Sequence, residues 1–155
     1  MGLDMYLSKH TYVGANYEHN NVTGNISIFV RGVEIPINFS RMSEIKEIVG
    51  YWRKANAIHA WFVRNVQNGV DDCGDYEVSA DKLKELLETV NEVLKNPEKA
   101  KELLPAQEGF FFGSMDYDKW YFEDLKYTKK LLKDLINEDK QDVLGISWFE
   151  YHSSW

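Results

Sequence analysis

Asn56 and His59 lie three residues apart in the run Tyr51-Trp52-Arg53-Lys54-Ala55-Asn56-Ala57-Ile58-His59-Ala60-Trp61-Phe62. On a helix that spacing brings the two side chains about one turn apart, so both can converge on one ligand atom or proton. A neutral imidazole titrates near working pH and can act as a base. Trp52 and Arg53 precede the pair, so Trp52, Arg53, Asn56 and His59 are the candidate ligand-binding residues. The competing reading is a buried histidine hydrogen-bonded to a neighbouring strand, with Asn56 closing a backbone gap. Arg53 and Arg64 fall on another side of such a helix, where they either hold an anion or are solvated.

Other motifs are weaker. The turn Asp71-Asp72-Cys73-Gly74-Asp75 places its glycine fourth, whereas a calcium loop needs it sixth with a glutamate at the twelfth position. Turn chemistry explains it, and no metal site or cofactor is expected. Cys73 has no partner for a disulfide and no histidine placed to activate it. His152-Ser153-Ser154 matches one half of a two-histidine phosphoesterase signature, but no second half exists. Gly-rich phosphate loops, nucleophile elbows and paired-cysteine motifs do not occur. No catalytic residue is therefore assigned. The aromatic segment Phe110, Phe111, Phe112, Tyr117, Trp120, Tyr121 and Phe122 offers core filling, a partner surface or a small-ligand platform. Tyr117, Trp120 and Tyr121 are its candidate partner-binding residues.

The elements that must position these residues follow from periodicity. Leu3, Met5 and Leu7 alternate with polar neighbours and predict a strand with one buried face. Gly14 to Gly24 reads as a loop. The β-rich runs Ile26–Val30 and Val33–Phe39 flank Arg31-Gly32 and predict a hairpin. From Ser43 to Asn68-Gly69, the positions Ile45, Ile48, Trp52, Ala55, His59, Phe62 and Val66 form a helical stripe, predicting one long central helix. A short strand at Tyr76–Val78 follows. Ser79 then caps a second helix carrying Leu83, Leu86, Leu87, Val90, Val93 and Leu94 inward. Pro97 and Pro105 bracket a helical turn, and Gly109–Gly113 reads as a compact strand. A third helix from Lys119 to about Asn137 and a last strand within Val143–Tyr151 complete the chain. Strands first and helices with interspersed strands later predict an α+β fold. It is a single domain over residues 1–155: a small antiparallel or mixed β-sheet packed against about three α-helices.

The 155 residues carry a formal charge of −7. An acidic chain lacks the basic footprint of a nucleic-acid binder and suits a basic protein surface. No apolar run reaches the roughly 20 residues that span a bilayer, so no membrane partner is expected. The opening residues lack signal-peptide features and there is one cysteine, which favours a cytoplasmic setting. The triplets at Asn21, Asn25 and Asn38 are then accidents of an Asn-rich segment. A twofold homodimer is the default oligomer.

Gly2-Leu3-Asp4-Met5-Tyr6-Leu7, the run from Tyr51 to His59, the Asp-Asp-Cys-Gly turn, the Gly-Phe-Phe-Phe-Gly segment and the final Ser-Ser-Trp carry a likeness over nearly the whole chain. It resembles a family of small bacteriophage and prophage proteins that has no established activity, so no catalytic residue is carried over. The resemblance implies an accessory protein in the cytoplasm of an infected bacterium. On that basis the leading expectation is a binding protein that modulates or inhibits a host protein, a defence protein among the candidates. The alternative is a small-ligand protein or hydrolase for a nucleotide-like molecule, its pocket around His59 with help from Tyr6 or His152.

Overall fold

Alternating apolar residues do set the first strand of the computed structural model, which describes residues 2–155. β1 (Asp4–Tyr12) buries Met5 and Leu7 on one face and is one of the two inner strands of the sheet. It pairs antiparallel with β4 (Glu44–Arg53) on one side and β6 (Ser147–Ser154) on the other. β5 (Asp75–Val78) adds to β6, giving the antiparallel order β4-β1-β6-β5. Between β1 and β4 the chain makes a separate two-stranded hairpin, β2 (Ile28–Val30) and β3 (Val33–Ile35). Its two-residue loop has Arg31 at φ +52° and Gly32 at φ +80°, the left-handed pair that matches strand twist.

Helices cover one face of the sheet. α1 (Asn56–Asn65) is buried from Asn56 to Val63. α2 (Ala80–Lys95) opens where the Ser79 hydroxyl accepts from the Lys82 N–H and turns Leu83, Leu86, Val90 and Val93 inward. After a short α3 (Ala100–Leu103), α4 (Lys119–Asp139) packs on α2 and β4 through Leu125, Leu132 and Leu135. The Asp118 carboxylate caps it, accepting from the Trp120 and Tyr121 N–H groups. The expected α+β architecture is therefore the one found, with the apolar core between one sheet face and the helices.

Two expected elements differ. The single helix over 43–68 is a strand followed by a helix. Glu44–Arg53 holds Ile45, Ile48, Val49, Tyr51 and Trp52, which favour pleated backbone, and Gly50, which weakens a helix by about 1 kcal/mol. The helical stripe came from a β-bulge. The pairing shifts between Leu7↔Gly50 and Ser8↔Ile48, so Ile45 and Trp52, seven apart, land on the same sheet face. Ile48 faces the other way and is exposed. Lys54, at φ +60°, ends the strand and turns the chain into α1. The second difference is Gly109–Gly113, which forms a turn rather than a strand. Phe111 sits at φ +71°, and the Leu3 N–H donates to the Phe111 carbonyl as the segment passes the sheet. Only Phe112 of the three phenylalanines is buried.

Candidate functional site

α1 carries His59 into the core with no solvent exposure. Its Nε2 lies 3.0 Å from an Asp71 carboxylate oxygen and its Nδ1 lies 2.8 Å from the Tyr151 hydroxyl. A carboxylate only accepts, so Nε2 carries the proton toward Asp71 and Nδ1 accepts from the Tyr151 O–H. Burial pushes the Tyr151 phenol well above its ordinary value, with the Asp71 charge adding to the effect, so it keeps that proton. Asp71 also accepts from the Trp155 indole N–H at 3.1 Å. Phe112 stands edge-on to the imidazole, and Phe62 stacks on Tyr151 at 4.0 Å. These contacts enclose the imidazole, while Asp71 keeps part of its side chain in solvent. What this chain of hydrogen bonds does is join α1, the 71–75 turn and β6.

Asn56 is equally engaged. Its amide nitrogen donates to the Phe112 and Ser114 carbonyls at 3.2 and 2.8 Å, and its oxygen accepts from the Gln107 N–H at 3.3 Å. One side chain thus pins the loop 107–114 to the start of α1. Trp52 is buried and donates to the Thr128 hydroxyl at 2.8 Å, fixing β4 against α4. Of the four candidate ligand residues, Arg53 alone is exposed, with its Nε 3.9 Å from the Asp4 carboxylate.

The aromatic candidates divide in the same way. The Tyr121 hydroxyl donates to the Leu104 carbonyl, and burial pushes its pKa far above the usual phenol range. Tyr117 is half-buried and accepts from the Ala106 N–H. Trp120 is 72% exposed, and the Lys119 ammonium lies 5.9 Å from its ring centre.

A cleft of about 370 Å³ lies where these pieces meet. Arg53 and Lys54 form one wall, with the first residues of α1 beside them. Gly113, Ser114 and Asp116 form the loop side, and Trp120, Tyr121 and Asp124 the α4 side. The cleft therefore collects Arg53 and Asn56 from one candidate group and Trp120 and Tyr121 from the other. Trp52, His59 and Tyr117 do not line it. Tyr6 and His152 stand with Glu150 and His10 on the uncovered sheet face, where the register puts them away from His59.

Asp124 was not among the sequence candidates. Burial and the neighbouring Asp118 charge raise its carboxyl from 3.8 to about 6. Asp118 is committed to capping α4, while Asp116 accepts from the Ser114 hydroxyl at 2.9 Å. The signal for Asp124 was present: positions 120, 121 and 124 share one helical face of α4. Among the described residues no group of three His, Cys, Asp or Glu side chains is placed to hold a metal, and Cys73 is a free thiol in the 71–75 turn. Among those residues, too, no helix is long and apolar enough to cross a membrane. No family model matches the chain, and neither a curated protein nor a solved structure does so.

Proposed function

We propose that this protein acts by binding a protein partner, and that the cleft receives a basic side chain of that partner. The observation that carries this reading is the placement of the exposed Trp120 indole beside the carboxylates of Asp116, Asp118 and Asp124. A lysine or arginine entering there gains a cation–π face and anionic neighbours in one partly desolvated space. The formal charge of −7 attracts a basic surface over longer range. Phe110 and Met115, both exposed on the loop that forms the rim, extend the contact with apolar surface. In the setting implied by the phage resemblance, the partner is a host protein whose action is modulated or inhibited, in the bacterial cytoplasm.

Cross-linked capture from bacterial cells tests this with three proteins: the native chain, Trp120→Ala and Asp116→Lys. The expected result is a polypeptide held by the native chain and lost from both variants. Equal capture by all three would remove the cleft from the contact.

A second reading is a nucleotide-like ligand in the same cleft. It is favoured by Arg53, Lys54 and the opening of α1 on one wall, where cations and backbone N–H groups suit phosphate. The cleft volume falls within the range of small-molecule pockets. Titration with a nucleoside diphosphate, followed by NMR at Lys54, Ala57 and Gly113, separates it from the first. Saturating shifts at these amides support it, and unchanged spectra rule it out.

A further inference from the structure

The connection from β1 to β4 joins neighbouring antiparallel strands, a step that a turn of 2–5 residues can make. Here it occupies residues 13–43. Its two ends are fastened to each other: the Val13 and Gly14 N–H groups donate to the Ser43 carbonyl, and the Ala15 N–H to the Met42 carbonyl. Beyond these ends, every residue of β2 and β3 is exposed. The register pairs Ile28 with Ile35 and Val30 with Val33, so four aliphatic side chains share one face, while Phe29 and Glu34 pair on the other. A lone two-stranded hairpin in water is marginally stable. An uncovered aliphatic face of this kind marks a contact surface.

Charge and area say which partner fits. Residues 13–43 hold Glu18 and Glu34 against Arg31 and Arg41, so this arm is formally neutral and the charge of −7 resides wholly in the rest of the chain. The arm therefore offers no field to attract a basic partner. It is also the part of the chain through which two acidic copies can meet with least repulsion. Ile28, Phe29, Val30, Val33, Ile35 and Ile37 are between 37% and 65% exposed. The four on the shared aliphatic face offer on the order of 400 Å² per copy, so two arms would bury about 800 Å², the size of a weak, reversible interface. An aliphatic face is self-complementary, as a twofold contact requires.

We propose that the β2–β3 arm is a dimerisation element, its Ile28/Val30/Val33/Ile35 face stacking on the same face of a second copy across a twofold axis. The inference does not rest on the cleft reading, since the arm shares no residue with the cleft.

Analytical ultracentrifugation of the native chain over a concentration series tests it, alongside the double variant Val30→Lys, Val33→Lys. Both positions are exposed, so the variant keeps its fold, which the far-ultraviolet spectrum and melting temperature verify. The expected result is a dimer for the native chain and a monomer for the double variant, with dimer affinity reduced at least 100-fold. Two outcomes would overturn the proposal. One is a native chain that stays monomeric across the series, which would leave the arm to a different protein. The other is a dimer that survives both lysines, which would place the interface on another face.

Discussion

At the residue scale, His59 and Asp124 illustrate opposite fates of a polar side chain. His59 gives both ring nitrogens to protein partners and has no solvent exposure. Replacing it with alanine removes the acceptor of the Tyr151 hydroxyl and one of the two donors to Asp71, and opens a cavity. The His59→Ala variant should lose about 3 kcal/mol of stability in denaturant unfolding while its cleft still binds. Asp124 stands at the cleft wall, and its carboxyl is raised to about 6. A raised carboxyl favours the protonated folded state, so its contribution to stability falls as pH rises from about 4 to about 6 and is flat above. Asp124→Asn removes that penalty. Its unfolding free energy should match the native chain at acid pH and exceed it at neutral pH by about 1 kcal/mol, partial solvation limiting the gain. The spacing in the sequence made Asn56 and His59 visible as an inward polar pair. It left open whether they face a ligand or each other's neighbours, because Asp71, Phe112 and Tyr151 reach them only through long-range folding.

At the scale of elements, the hairpin, α2, α4 and the flanking strands were legible because each carries its own signal: a two-residue Arg-Gly turn, a Ser79 cap, or an apolar face at one clear period. The stretch 43–68 was not, since a bulge in β4 converts a two-residue alternation into spacings that mimic a helix. Gly50 is part of the reason that β4 can lie under α4. A Cβ there would come within 2.6 Å of the Leu131 Cδ2 and 3.3 Å of the Leu7 Cβ. Gly50→Val should therefore cost about 2 kcal/mol through overpacking, despite the strand preference of valine, as measured by thermal unfolding. Loop 107–114 depends on a single residue in a comparable way. Asn56→Ala frees the Phe112 and Ser114 carbonyls and the Gln107 N–H. That variant should lose roughly 2 kcal/mol, and amide exchange should accelerate across 107–114 more than elsewhere.

For the whole molecule, the two surfaces have different electrostatic characters. The body carries the full negative charge and the cleft with its carboxylates, while the arm is neutral and aliphatic. The composition disclosed the charge and the aromatic excess. It could not disclose that Tyr117 and Tyr121 are tied down by backbone partners while Trp120 stands free, since those partners lie in the segment before α4. The most direct measurement is an NMR titration of the native chain with a flexible Gly-Ser peptide bearing one central arginine, repeated with norleucine in its place. Shifts at the Trp120 indole and the Gly113, Ser114 and Asp124 amides are expected for arginine alone, weakened in Trp120→Ala and as pH falls through about 6. Equal shifts for the two peptides, or arginine shifts that leave these four positions unmoved, would contradict the proposed binding of a basic side chain.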